Sequence, residues 1–369
     1  MRMSHLLAAC GAMAVAAGAF LIFATMPVRL PAPSGRFAVA SRPLELPVAN
    51  GAIATPIAEI WYPTDPTSDH GTDGAAPPPL TGRPLPVLFY LPSWGGTALE
   101  DMFLIRDLVS HGFVVTSLRY PSPSEIAASA AKGVPLRPEE AGAMDFSSKQ
   151  AFENTWQLGS EKVRTRAQNV VAVLDRLERL NEEPSSAFAH RLDLDRVGAW
   201  GFSLGGAAAA QAAWLDRRIK AVANLDGWLF GDAATDGVPC PYFLIGDDTP
   251  LPGPTELNSP NAGTRYTATF ELQDYDRQIA GMKRYGGLAM TIDGTNHINF
   301  SDEAARSRFH RLTGAGPIDA GRAFVIVADY LRSFFEARLL GQPSPLLDGD
   351  SPVHPEAHLQ VFGRSDVHS

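Results

Sequence analysis

Gly201-Phe202-Ser203-Leu204-Gly205-Gly206 contains a G-x-S-x-G in which a short apolar run ends just before the serine and a helical run begins just after it. In that setting the pattern makes a sharp strand-to-helix turn that holds the seryl oxygen out as a nucleophile. Flanking glycines are needed because neighbouring backbone comes close and leaves no room for Cβ atoms. With 33 glycines in 369 residues, chance yields such a pattern about 0.2 times per chain of this length, so its context has to carry the reading. A serine hydroxyl attacks poorly until a positioned base takes its proton, so a histidine oriented by a carboxylate is required, in the chain order Ser, Asp, His.

Nine histidines are candidates for the base. His5 lies in the apolar leader, and His354, His358 and His368 lie near the C-terminus. His70 and His190 fall in polar loops, His111 ends a helical run, and His310 stands in a charged segment with no strand before it. Only His297, in Asp293-Gly294-Thr295-Asn296-His297-Ile298-Asn299-Phe300, occupies a short loop after a late strand. Two strands end in an aspartate suited to fix its tautomer. Asp226 follows Ala223-Asn224-Leu225, and Asp247 and Asp248 follow Phe243-Leu244-Ile245-Gly246. Spacing does not separate them.

The elements that must position these residues alternate along the chain. β-Branched or aromatic runs such as Val87–Leu91, Phe113–Thr116, Arg196–Trp200, Ala221–Leu225, Tyr242–Ile245 and Leu288–Ile292 alternate with helical patterns at about 100–111, 161–181, 204–214 and 319–340. That rhythm predicts a mostly parallel central sheet with helices on both faces. RFAVA and IAEIWY read as opening strands, and residues 63–86 as a Pro- and Gly-rich linker. Residues 121–160 break the rhythm and read as an insertion over one end of the sheet, a length usual for lids and binding loops. One α/β domain over 36–342 accounts for the pattern, with a loose tail over 343–369.

Residues 1–30 read as a signal peptide or N-terminal membrane anchor. Leu6–Met26 runs 21 residues without a charge, roughly 30 Å as a helix, which favours an uncleaved anchor over a shorter cleaved segment. Leu7-Ala8-Ala9-Cys10 resembles a bacterial lipobox. The expected location is outside the cytoplasm, secreted, periplasmic or anchored, with a membrane contact through the leader where it is retained. Elsewhere, 31 Lys and Arg against 40 Asp and Glu leave a formal charge of −9, which excludes an electrostatic footprint for nucleic acid. Two cysteines, Cys10 and Cys240, make neither a disulfide framework nor a Cys-based zinc site.

Four stretches together carry a resemblance: Val87–Gly96 with Ser110-His111-Gly112-Phe113-Val114, Gly201–Gly206, Asn224-Leu225-Asp226-Gly227-Trp228, and Gly294–Phe300. In their motifs and order the chain resembles the platelet-activating factor acetylhydrolase family of α/β-hydrolases, of the plasma and intracellular type II kind. The resemblance implies an α/β-hydrolase fold, a metal-independent reaction without cofactors, and small or lipid-like esters as substrates. It also implies Asp226 as the acid, through its D-[AG]-W context. Oxyanion donors are expected from the Leu204 N–H, next to the nucleophile, and from the loop after the third strand. There the family carries H-G-x-G, whereas this chain has Pro92-Ser93-Trp94-Gly95-Gly96, so alignment implies the Trp94 N–H. Trp94, Phe202, Trp228 and Phe300 are expected to form an aromatic rim for an acyl chain or a hydrophobic alcohol.

The expected activity is therefore serine carboxylic-ester hydrolysis through Ser203, His297 and Asp226. Dienelactone or polyester hydrolysis on the same residues is the nearest alternative. A catalytically silent α/β-hydrolase domain that binds a partner is the rival from another class. Its support is the altered Pro92-Ser93-Trp94 segment, since losing one oxyanion donor costs about 2.7–4 kcal/mol of transition-state stabilisation.

Overall fold

The computed structural model describes residues 25–46, 55–66, 78–97, 99–133, 136–139 and 142–363. Its strands are β1 (Ala38–Leu44), β2 (Ile57–Thr64), β3 (Leu85–Leu91), β4 (Val114–Arg119), β5 (Leu192–Phe202), β6 (Ile219–Leu225), β7 (Tyr242–Gly246), β8 (Gly287–Ile292) and β9 (Ala357–Phe362). They make one sheet in the order β1-β2-β4-β3-β5-β6-β7-β8-β9. From β4 to β8 every pair is parallel, and β1, β2 and β9 join the two ends antiparallel.

All seven residues of β3 are buried, because helices cover both faces of a central parallel strand. Its side chains alternate between two cores. Val87, Phe89 and Leu91 join the cluster formed with α3 (Lys149–Glu182) and α4 (Leu204–Leu215), and Leu88 and Tyr90 join the one formed with α1 (Met102–Ser110) and α9 (Ala320–Leu340). The tetrad Ala207–Ala210 is wholly buried, which lets α4 lie close against the sheet. Short α2 (Pro123–Ala130) begins at a capping box built by Ser122 and Glu125.

Three expectations need correction. Residues 343–369 are not a loose tail throughout, because Ala357–Phe362 is the edge strand β9, paired with β8 from Ile292↔Ala357 to Gly287↔Phe362. Buried Ala357 and Leu359 alternate there with exposed His358 and Gln360, a two-residue period hidden by a polar composition. Secondly, α3 starts at Lys149, inside the segment read as an insertion. Its N-terminus is capped by Ser148, whose Oγ accepts from Ala151 N at 3.1 Å, and its first turns pack the half-buried Phe152 and Trp156 against other aromatic rings. Thirdly, α7 (Ala262–Tyr285), following α5 (Gly231–Asp236) and α6 (Pro254–Leu257) and preceding the single turn α8 (His310–Thr313), had no counterpart in the sequence reading. Its buried positions include Asp274 and Gln278, so it shows only a broken apolar stripe.

Residues 1–24 of the leader, residues 67–77 of the linker read at 63–86 and the last six positions lie outside the described residues. Among the described residues no helix is long and apolar enough to cross a membrane.

Candidate active site

Ser203 stands between β5 and α4 at φ 56° and ψ −125°, a conformation that costs a non-glycine residue of order 1–3 kcal/mol and persists only where surroundings impose it. The imposing contacts are close. A Cβ at Gly205 would collide with the Leu91 carbonyl, and one at Gly201 with the Gly205 backbone. Ser203 N donates to Leu225 O at the end of β6 (2.8 Å), and Asp226 N donates to Ile245 O of β7 (2.8 Å). Asp226 is also left-handed, at φ 53°. Both turns therefore lie at carboxyl ends of adjacent parallel strands, where open α/β sheets place their sites.

His297 arrives from β8 through a turn ended by Asn296, whose side chain accepts from Ile298 N at 3.1 Å and starts the 3-10 turn His297–Phe300. Its Nδ1 lies 2.6 Å from Asp226 Oδ2. Its ring stacks on Phe202, with centroids 4.7 Å apart and planes at 35°. With Nδ1 engaged by the carboxylate, Nε2 is the nitrogen left to exchange a proton with a hydroxyl. Ser203, Asp226 and His297 border one cavity of about 330 Å3, together with Trp94, Leu204 and Trp228.

Of the three candidate aspartates, only Asp226 reaches the imidazole. Asp247 turns to Thr249, accepting from its N (3.0 Å) and Oγ1 (2.9 Å), while Asp248 accepts from Gly294 N (2.9 Å). Asp247 still contributes its backbone N–H to Asp226 Oδ1 at 3.2 Å. Burial is the largest influence on the His297 pKa and lowers it, but the bond to Asp226 and the charges of Asp226, Asp247 and Glu100 together outweigh it. The imidazole is therefore raised above its ordinary value. Burial likewise raises Asp247, reinforced by the charge on Asp226.

A buried polar network supports the segment after Asp226. Asn224 Oδ1 accepts from Gly227 N (2.9 Å), and Asp274 of α7 accepts from Leu229 N (2.7 Å) and Gln278 Nε2 (2.6 Å). Burial pushes the Asp274 carboxyl up to about 7. A carboxyl raised in the folded state contributes stability that is whole below its unfolded value, about 3.9, and is lost as pH rises through the folded one. Asp274→Asn, neutral throughout, is expected to flatten the decline of the melting temperature between about pH 4 and 7. An unchanged slope in thermal scans across that range would refute the assignment.

Two expected rim residues are not on the cavity wall. Phe300 is 1% exposed and Phe202 is 4% exposed, and both belong to the core on the α1 and α9 side. The chain turns inward after His297, and Phe202, at the end of β5, supports the histidine ring from beneath. Trp94 and Trp228 do border the cavity. Met144, Phe230, Thr249 and Glu271 border it as well, and none was singled out in the sequence. Met144 belongs to the segment read as an insertion, whose Gly142 carbonyl accepts from Trp94 Nε1 at 2.8 Å. Through Met144 that segment reaches the cavity. Leu204, whose N–H is first in α4 and has no acceptor within its own helix, borders the same cavity as Ser203.

The fold is shared with a solved structure. Ferulic acid esterase from Streptomyces cinnamoneus matches with a TM-score of 0.64 at 22% identity, over 91% of this chain and 100% of that one. The chain has the α/β-hydrolase fold. Its residues 156–256 match a family model described as PETase, PET hydrolase-like, a span holding Ser203 and Asp226 but not His297. Two curated proteins are similar over most of it. A probable 1-alkyl-2-acetylglycerophosphocholine esterase of Arthroderma benhamiae is 25% identical over 74% of this chain and 65% of its own length. Platelet-activating factor acetylhydrolase of Bos taurus is 24% identical over 77% and 63%. The chain thus spans just under two thirds of the length of these relatives.

Proposed function

We propose that this α/β-hydrolase is a serine carboxylic-ester hydrolase acting on short-acyl or lipid-like esters. The observation that carries this reading is the 2.6 Å contact between Asp226 and His297 on the cavity where Ser203 stands in its strained turn. In this mechanism His297 Nε2 takes the proton of Ser203 Oγ as the oxygen attacks the ester carbonyl. Asp226 keeps the proton on Nδ1 and stabilises the imidazolium that forms. The tetrahedral oxyanion is received by backbone N–H groups of Leu204 and Trp94. Collapse expels the alcohol, protonated by His297, and leaves an acyl-enzyme on Ser203. Water then attacks with His297 as base, releasing the acid and restoring the serine.

Substrate class rests on the cavity and on the relatives. Its walls set the apolar Trp94, Met144, Leu204, Trp228 and Phe230 beside the carboxylates of Asp247 and Glu271, apolar surface for an acyl or alkyl group next to polar groups that can orient it. A second groove of about 600 Å3, bordered by Leu251, Tyr275 and Gln278, shares Asp226, Trp228 and Glu271 with it and extends the space for a longer ester. Polyester hydrolysis is the alternative that one observation favours, the PET hydrolase-like match over residues 156–256. The apolar run Leu6–Met26 is read as the segment that carries the enzyme to or across a membrane, and cell fractionation of the full chain tests it.

The deciding experiment is labelling with a fluorophosphonate and mapping the adduct by mass spectrometry. One adduct on Ser203, absent in His297→Ala, is the expected result. A folded chain without an adduct would favour the silent binding domain.

The His297 environment sets a pH dependence. A general base works only when neutral, so kcat/KM falls on the acid side as His297 gains a proton. Because neighbouring carboxylates raise His297, the midpoint of that limb is expected above the ordinary value of about 6.5. Asp247→Asn, which removes one of those charges, is expected to move the midpoint down. A pH–rate profile of p-nitrophenyl acetate hydrolysis with a midpoint below 6 would contradict this.

A further inference from the structure

The loop after β3 is gripped from two sides by charged groups. Arg166 of α3 is wholly buried, although Val163, Ala167 and Val170 around it on the inner face are apolar core. Its Nη1 donates to Pro92 O at 2.5 Å, and its Nη2 donates to Ser93 O at 2.9 Å and to Trp94 O at 3.3 Å. Three consecutive carbonyls thus converge on one guanidinium. Opposite, the Glu100 carboxylate accepts from Ser93 N at 2.8 Å and from Ser93 Oγ at 2.7 Å.

A trans peptide holds its C=O and N–H in opposite directions. The peptide joining Pro92 to Ser93 is therefore pinned at both ends, its carbonyl on Arg166 and its N–H on Glu100. In the next peptide the Ser93 carbonyl is on Arg166 as well, so the Trp94 N–H points away from the guanidinium. Among the described residues that N–H has no acceptor. Trp94 borders the cavity beside Ser203 and Leu204.

A buried guanidinium persists only when its charge is paired. Glu139 supplies the pair, its Oε1 accepting from Nε at 2.6 Å and its Oε2 from Nη2 at 2.9 Å, with Lys162 Nζ also at Oε2, 3.0 Å away. Burial would lower the Arg166 pKa, but Glu139 leaves it raised, so the charge is permanent. Glu139 lies between α2 and α3, in the segment that reaches the cavity through Met144.

We propose that Arg166, anchored by Glu139, is a positioning residue that turns the Pro92–Trp94 loop so that the Trp94 N–H serves as the second oxyanion donor. The inference rests on the ester-hydrolase reading above. It assigns the insertion a part in the reaction, since it carries the counter-charge that keeps the clamp in place.

Arg166→Lys keeps the charge, but a single ammonium cannot replace a planar fork spanning three carbonyls and a carboxylate. A donor moved out of place weakens only the tetrahedral state, so kcat on p-nitrophenyl acetate is expected to fall about 30-fold with KM changed by less than about threefold. Affinity for an alkyl trifluoromethyl ketone, which Ser203 would convert to a tetrahedral hemiketal, is expected to fall by the same factor as kcat/KM. Glu139→Gln keeps the shape and one acceptor, and is expected to show the same pattern at about fivefold; it carries the test if Arg166→Lys fails to fold. A wild-type chain unlabelled by fluorophosphonate would remove the ester-hydrolase reading and this inference with it. A labelled wild type beside a folded variant with unchanged kcat and ketone affinity would overturn this inference alone, as would a loss confined to KM.

Discussion

Ser203→Ala is expected to abolish fluorophosphonate labelling and to lower kcat/KM on p-nitrophenyl acetate by at least about 10⁴-fold, leaving only what binding and the oxyanion donors supply. The magnitude follows from the chemistry, because without Oγ no acyl-enzyme forms and His297 can only activate water in a site shaped for another nucleophile. The fold is expected to survive. Ser203 already occupies φ 56°, alanine suffers much the same strain there, and the hydrogen bonds that hold the turn are made by the Ser203 backbone. Circular dichroism and a melting curve beside the kinetic assay separate the two effects. Turnover persisting in a folded mutant would place the nucleophile elsewhere and sink the proposed mechanism.

Asp226→Asn is expected to cost about 10³–10⁴-fold in kcat, against less than about tenfold for Asp247→Asn. The difference rests on what each carboxylate touches. Asp226 Oδ2 meets His297 Nδ1 at 2.6 Å, so an amide there loses the charge that stabilises the imidazolium and can impose the wrong tautomer by donating to Nδ1. Asparagine tolerates the left-handed backbone at this position, so the loss is expected without unfolding. Asp247 acts on the imidazole only through its charge, its oxygens being engaged by Thr249. Kinetics of the two variants at one pH, above the acid limb of both, give the comparison directly. The reverse order would refute Asp226 as the orienting acid.

How the site divides between local pattern and tertiary contact is clear from particular residues. Ser203 could be read because the turn that exposes it is a matter of near neighbours. Gly201, Gly205, the apolar run before and the alanines after it are all within ten positions, although the clash that excludes a Cβ at Gly205 is with Leu91, far away in sequence on the adjacent strand. His297 could be read by elimination, from its place after a strand. The partner of that histidine was open between Asp226, Asp247 and Asp248 on spacing alone, and resemblance pointed to Asp226. The contact itself spans 71 positions and exists because β6, β7 and β8 lie side by side and parallel.

Burial divided the aromatic residues in the same way. Phe202 and Phe300 are close in sequence to Ser203 and His297, yet both face the core, whereas Phe230 and Met144 reach the cavity from elements that proximity in sequence did not recommend. The edge strand β9 and helix α7 were missed because alternation of His and Gln with Ala and Leu, or a stripe interrupted by Asp274 and Gln278, is a weak local signal that pairing and packing make decisive. Arg166 did leave a trace, a cation among the apolar positions of a helix with Lys162 one turn before it. Its meaning lay in three carbonyls more than 70 positions away. The sequence by itself determined the alternation of strands and helices, the glycine-flanked serine between strand and helix and the histidine that follows the last parallel strand, since each shows as residue types and periodicity within a few positions. Only the tertiary structure decided which carboxylate holds that histidine, which aromatic rings line the cavity and what orients the Trp94 peptide, because those are set by strand order and by charges paired across the core.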